Sequence, residues 1–162
     1  MVQIYTGPIN SGKTTRIKDF YKNLTKAEGF ISRKIFQSKQ IIGYDLVRLT
    51  DGKSKILARI KSHSSLISKK SIQVGKFIFS EKGFIFGYHI IKTANEKNIE
   101  NVFLDEIGPL EIIHHKGFYK LLKQQLKKEN NIHLTVRDNL LKDLIKTFEI
   151  KKYKIYKRGK HD

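Results

Sequence analysis

Residues 7–14 read Gly7-Pro8-Ile9-Asn10-Ser11-Gly12-Lys13-Thr14, a complete G-x-x-x-x-G-K-[ST] string, and Thr15 follows it. The apolar start Val2-Gln3-Ile4-Tyr5 precedes the string and a helical pattern comes after it. A strand, a glycine-rich turn and a helix N-terminus are what a backbone needs to hold a polyphosphate. Gly7 and Gly12 permit conformations and a close approach that a Cβ would obstruct. The loop amides then face phosphate oxygens. Lys13 brings positive charge to the β- and γ-phosphates, and the Thr14 hydroxyl is suited to ligate Mg²⁺. A glycine turn without a ligand is the alternative, and the context on both sides argues against it. The expectation is nucleotide binding through Gly7, Pro8, Ile9, Asn10, Ser11, Gly12, Lys13, Thr14 and Thr15.

Downstream of the loop, Ile17, Phe20, Tyr21 and Leu24 recur at helical spacing, the stripe of a core-facing helix. Residues 41–49 are strand-like, 50–53 form a turn and 54–60 fit a returning strand, which together predict a hairpin. A further strand pair is expected around 71–79 and 83–86, and the serine-rich segment 61–70 reads as a mobile surface loop. Helical signal resumes over 88–97. A buried strand at 101–106, a helix carrying Phe118, Leu121, Leu122 and Leu126, a strand at 132–136, a helix over 140–148 and a closing strand at 150–156 follow. Strands alternating with helices at both ends predict an α/β fold. Its mostly parallel central sheet is flanked by helices and interrupted by a hairpin-rich middle, all in a single domain spanning 1–162.

Binding phosphate is half of a hydrolytic site. The other half needs a metal anchor and a group that orients or deprotonates water. Val102-Phe103-Leu104 is an apolar strand that delivers Asp105 toward Mg²⁺, and Glu106 beside it is the candidate general base. Ligands of open α/β sheets sit beyond the carboxyl ends of the strands, so this strand end and the phosphate loop are expected to converge. A pair of surface acids closing a strand is the competing interpretation, weakened by the intact loop upstream.

The full string Asp105-Glu106-Ile107-Gly108-Pro109-Leu110-Glu111, with Gly12-Lys13-Thr14-Thr15 before it and Phe118 after it, resembles a known family. This is the small P-loop nucleoside-triphosphatases of archaea, bacteria and animals, of the thermophile nucleotide phosphatase and cancer-related nucleoside-triphosphatase type. Softer matches lie at Gly29-Phe30 and Gly43-Tyr44-Asp45. The resemblance covers nearly the whole chain. It implies a P-loop fold and Mg²⁺-dependent hydrolysis of ATP, GTP, CTP and UTP to diphosphates with broad base tolerance. It assigns phosphate contacts to Gly7–Thr15 and the metal and catalytic roles to Asp105 and Glu106, and the reading of the residues themselves adds Thr14 to the metal site and Lys13 to the catalytic group. One departure is visible: Ser32-Arg33-Lys34 stands where the family often has acidic residues.

The chain of 162 residues has no cysteine, which excludes disulfides, thiolate metal sites and cysteine nucleophiles. Met1 stands a few residues before the loop and no apolar run approaches the roughly 18 residues of a membrane span, so a soluble, cytoplasmic, monomeric chain is expected. The net charge of +18 raises the question of nucleic acid. The excess is mostly lysine and is dispersed, apart from the basic tail 151–160. That tail is read as a solvated final strand in preference to a phosphate-backbone contact.

Weaker site candidates are Arg137 as a sensor arginine or a solvated helix-start residue, with Arg48 and Arg33 behind it. Thr135 is a water-orienting group or an ordinary strand threonine. Glu111 is a supporting carboxylate or the start of a helix. His114-His115 reads as surface histidines and not as a metal site, for want of an acid at ligand spacing. Two rivals to hydrolysis remain: a P-loop kinase of a small molecule or a nucleic-acid end, and a nucleotide-switched RNA- or DNA-binding protein.

Overall fold

Strand β1 (Val2–Gly7) is buried almost throughout, Ile4 facing one core cluster and Tyr5 the other. In the computed structural model, which describes residues 1–63 and 70–157, β1 leads through the phosphate loop into helix α1 (Lys13–Lys22). Then come β2 (Ala27–Gln37), β3 (Gln40–Arg48), β4 (Ser54–Ile60), β5 (Ile72–Val74), β6 (Phe77–Phe79) and helix α2 (Glu81–Glu96). The chain finishes with β7 (Asn101–Leu104), α3 (Pro109–Ile112), α4 (Tyr119–Gln125), β8 (Asn131–Arg137), α5 (Leu141–Thr147) and β9 (Tyr153–Lys157). Residues 64–69 of the predicted surface loop and 158–160 of the basic tail lie outside the described residues.

All strands join one sheet in the order β5-β6-β4-β3-β2-β7-β8-β1-β9. The half formed by β2, β7, β8, β1 and β9 is parallel, and β3, β4, β6 and β5 extend it antiparallel. Parallel strands need crossovers, supplied here by α1 on one face and by α2 to α5 on the other. Ile17 of α1 packs with Tyr5, Ile31 and Phe103, while α2 packs on β2, β3 and β4. Among the described residues no helix is long and apolar enough to cross a membrane.

Two elements differ from the sequence expectation. Residues 83–86 are not a strand but the first turns of α2, which is N-capped by Ser80 through its hydroxyl and the Gly83 amide. Gly83 and Gly87, four apart, lie on one helix face, and that face presses on the sheet. A Cβ on Gly83 would stand 2.5 Å from the Ile56 carbonyl oxygen, and one on Gly87 2.5 Å from the Phe118 ring. The glycines that suggest a broken helix are what lets the helix pack so closely. The second difference is β2, eleven residues that carry no alternation. Its first six are all buried and its last five are not. Its turn to β3, Ser38-Lys39, holds both residues at positive φ, a primed hairpin turn without the usual asparagine or glycine.

Candidate active site

Three neighbouring parallel strands, β7, β8 and β1, end on the same side of the sheet while β2 runs on past the end of β7, and each of the four contributes to one cluster. From the β1 side, Gly12 is left-handed (φ 78°) and caps the start of α1, and Asn10 within the loop is left-handed too (φ 63°). The ammonium of Lys13 folds back over the loop and donates to the carbonyls of Gly7 (3.1 Å) and Pro8 (2.6 Å). Burial pulls its pKa below the ordinary lysine value, against the opposing pull of Glu106 and Asp105.

Asp105 follows β7 and is buried. Its Oδ2 accepts from the Thr14 hydroxyl at 2.8 Å and from the Ser32 amide of β2 at 3.0 Å. Its Oδ1 accepts from the Thr135 hydroxyl of β8 at 2.6 Å. Burial raises the Asp105 pKa and these donors work against it. The contact between Thr14 and Asp105 joins the two motifs across 91 residues of sequence, as the strand-end argument anticipated.

Glu106 adopts φ 55°, a left-handed conformation uncommon for a side chain of this size. Its amide donates to Thr135 Oγ1 at 2.7 Å, which fixes the turn. The carboxylate reaches solvent inside a cleft walled by protein. This surrounding protein, and next the charge of Asp105, raises its pKa, while Lys34, Arg137 and Lys13 lower it. Thr135 therefore serves both acids at once, through a bond to one and a bond from the backbone of the other.

Arg137 ends β8 and lines the cleft with Lys13 and Glu106. Arg48 is elsewhere. Its guanidinium donates twice to Glu28 Oε2, at 2.9 and 2.7 Å, and holds a buried carboxylate of β2. Arg33 pairs with Asp45 at 3.2 Å. Glu111 is buried and accepts from the Gly108 and Phe118 amides, both at 3.1 Å, so it ties together the turn after Glu106. His114 and His115 are exposed, His115 stacking on Tyr119. Among the described residues no three His, Asp or Glu side chains are grouped to hold a metal ion.

Two contributors escaped the sequence reading. Lys34 projects from β2 to the phosphate loop, where its ammonium donates to the Asn10 side chain, and it is the foremost charge lowering the Glu106 pKa. The Ser32 amide donates directly to Asp105. Both lie in the Ser32-Arg33-Lys34 segment, whose departure from the resembled family was the one available signal.

A phosphate loop between β1 and α1, with a buried aspartate two strands away, defines a P-loop α/β protein of the nucleoside-triphosphatase type. The chain belongs to the NTPase family, whose family-wide sequence profile matches residues 3–161. Among individual relatives, the nucleoside-triphosphatase THEP1 of Archaeoglobus fulgidus is 26% identical over 90% of this chain and 84% of its own length. That of Methanocaldococcus jannaschii is 28% identical over 83% and 76%. The crystal structure of THEP1 from Aquifex aeolicus superposes with a TM-score of 0.75 at 24% identity, covering 97% of this chain and 89% of that one. The solution structure of a human cancer-related nucleoside triphosphatase gives 0.72 at 22% identity, covering 97% and 88%. These two likenesses establish the fold.

Proposed function

We propose that the protein is a Mg²⁺-dependent nucleoside-triphosphatase that releases the γ-phosphate of ATP, GTP, CTP and UTP. The observation that carries this reading is the Thr14–Asp105 contact of 2.8 Å, which brings loop and acid into one site. The names of the relatives support the activity. Broad base tolerance is what the resemblance to the small P-loop nucleoside-triphosphatases implies; the loop itself reads phosphates and not bases.

The residues fit a magnesium ion. Thr14 Oγ1 and Asp105 Oδ2 are adjacent hard oxygens, and Mg²⁺ characteristically takes few protein ligands beside phosphate and water. Bound there, the ion would neutralise charge on the β- and γ-phosphates. The loop amides and Lys13 bind the phosphate chain, Lys13 exchanging its two carbonyl contacts for phosphate oxygens. Glu106 holds the attacking water and accepts its proton, a role suited to a carboxylate whose pKa is raised. Lys34 and Arg137 flank Glu106 and offer positive charge to the γ-phosphate. Ser32, Thr135 and Glu111 position these groups through their hydrogen bonds.

Phosphate release from the four triphosphates with Mg²⁺ tests the proposal, with Glu106→Gln as control. Comparable release from all four, reduced about 10²- to 10⁴-fold in the variant while nucleotide binding persists, is expected. Full activity in Glu106→Gln removes the base assignment. Stimulation by RNA would favour the nucleotide-switched alternative.

A further inference from the structure

Hydrolysis requires space for one water, about 30 Å³ of liquid volume. The cleft that opens at Glu106 measures about 370 Å³, an order of magnitude more. It lies within the size range of small-molecule sites, mostly apolar with a few convergent polar groups. Its depth is aromatic: Tyr44 and Phe77 meet edge to face at 5.3 Å, Phe79 stacks on Phe84 at 6.0 Å, and Phe84 meets Phe118 at 5.0 Å. Its polar lining includes Lys13, Glu106 and Arg137 beside the phosphate loop, the buried and amide-bonded Glu111, and Lys76, whose ammonium stands 5.4 Å from the centre of the Phe77 ring.

The position of the cleft decides what enters it. Of the phosphate loop it touches Lys13 alone, and none of residues 7–12 or 14–15. Lys13 marks the β- and γ-phosphates. The cleft therefore opens on the side from which a nucleophile reaches the γ-phosphorus. The nucleoside, joined through the α-phosphate, leaves in another direction.

We infer that this cleft binds a second substrate, a neutral aromatic alcohol, whose hydroxyl takes the γ-phosphoryl group in place of water. The inference rests on the assignment of the triphosphate to the loop. Three features select the chemistry. An aromatic wall favours a ring and makes burial of a charge costly. The cations Lys13, Lys34 and Arg137 around Glu106 repel an ammonium nucleophile. A carboxylate base accepts a hydrogen bond from a hydroxyl and then its proton. In the step, the acceptor oxygen bonds to the γ-phosphorus as the bond from that phosphorus to the β–γ bridging oxygen breaks. The electron pair leaves with the nucleoside diphosphate, and the hydroxyl proton passes to Glu106. Triphosphate and alcohol become diphosphate and a phosphate monoester.

The test incubates the full-length protein with γ-labelled ATP and Mg²⁺, alone and with benzyl alcohol, 2-naphthalenemethanol or tryptophol. Labelled inorganic phosphate and labelled ester are then separated. Ester formation from at least one alcohol is expected. In Val74→Trp, whose indole fills the cleft, the ratio of ester to inorganic phosphate should fall at least tenfold. No ester from any of the three while ATP is still hydrolysed overturns the inference and leaves the hydrolase reading standing. An unchanged ratio in Val74→Trp also overturns it, because the acceptor would then sit elsewhere. Ester formation without hydrolysis supports the inference and removes water as the substrate. If ATP is stable under all conditions, both readings fall.

Discussion

Replacing Thr135 with Val keeps the shape of a buried strand residue and removes one oxygen. That oxygen has two partners, Asp105 Oδ1 at 2.6 Å and the Glu106 amide at 2.7 Å. A hydrogen bond to a charged group contributes about 1.5–3 kcal/mol, and a stranded backbone N–H costs about 1–3 kcal/mol. The turn at Glu106 opens toward solvent and relaxes in part, so a loss of about 2–4 kcal/mol is expected for the pair. With a urea dependence of about 2 kcal/mol per M, the unfolding midpoint drops by about 1–2 M. Activity falls as well, because Glu106 sits at φ 55° and its turn is held by this bond. A displacement near 1 Å at a reacting group costs up to about 10²-fold, so kcat should decline about 10- to 100-fold. Thr6→Val is the matched control. Thr6 lies on β1 opposite Val136, is equally buried, and among the described residues its hydroxyl has no partner. Removing that hydroxyl should be neutral or stabilising by about 1 kcal/mol. Urea unfolding followed by circular dichroism and steady-state phosphate release measure both effects. If Thr135→Val matches Thr6→Val in stability and turnover, the claim that one hydroxyl organises both acids is wrong.

Lys34→Met should lower kcat/KM for ATP about tenfold and raise the pKa seen on the acidic limb of its pH profile, since a positive charge near Glu106 is lost; an unaltered profile excludes Lys34 from the site. His133 is fully buried, stacked on Phe103 at 4.3 Å, and its pKa is depressed to about 4, chiefly by burial. It is neutral when folded and binds a proton more readily when unfolded, so its stabilisation is complete above about pH 6.5 and is lost as pH falls toward 4. The difference corresponds to about 3 kcal/mol, and His133→Phe should flatten the stability curve across that window in urea titrations. Gly87→Ala should destabilise by about 1–3 kcal/mol despite the better helix propensity of alanine, because the new methyl meets the Phe118 ring; a rise in melting temperature would contradict the packing argument.

The phosphate loop, the acid pair and most helices were legible because their signals are local. A motif is a run of adjacent residues, and a helical stripe repeats within four. Even the convergence of Asp105 on the loop followed from a rule about strand ends. Local signals misled at Gly83–Phe86, where the glycines reported close contact with Ile56 and Phe118, residues distant in sequence. They were silent at β2, whose two halves have different neighbours on the sheet and so share no period.

Sequence by itself supplied the motifs on which the proposed chemistry rests: the glycine-rich loop at 7–15, the acids at 105 and 106, and the signals of an α/β frame to hold them. Tertiary structure alone decided which other groups join that chemistry. The order β2-β7-β8-β1 puts Ser32 and Lys34 beside Asp105 and the loop, gives Thr135 both acids as partners, and sends Arg48 to Glu28. Neighbours across a sheet are set by strand order and register, which depend on how the whole core packs, and no short window of residues contains that information.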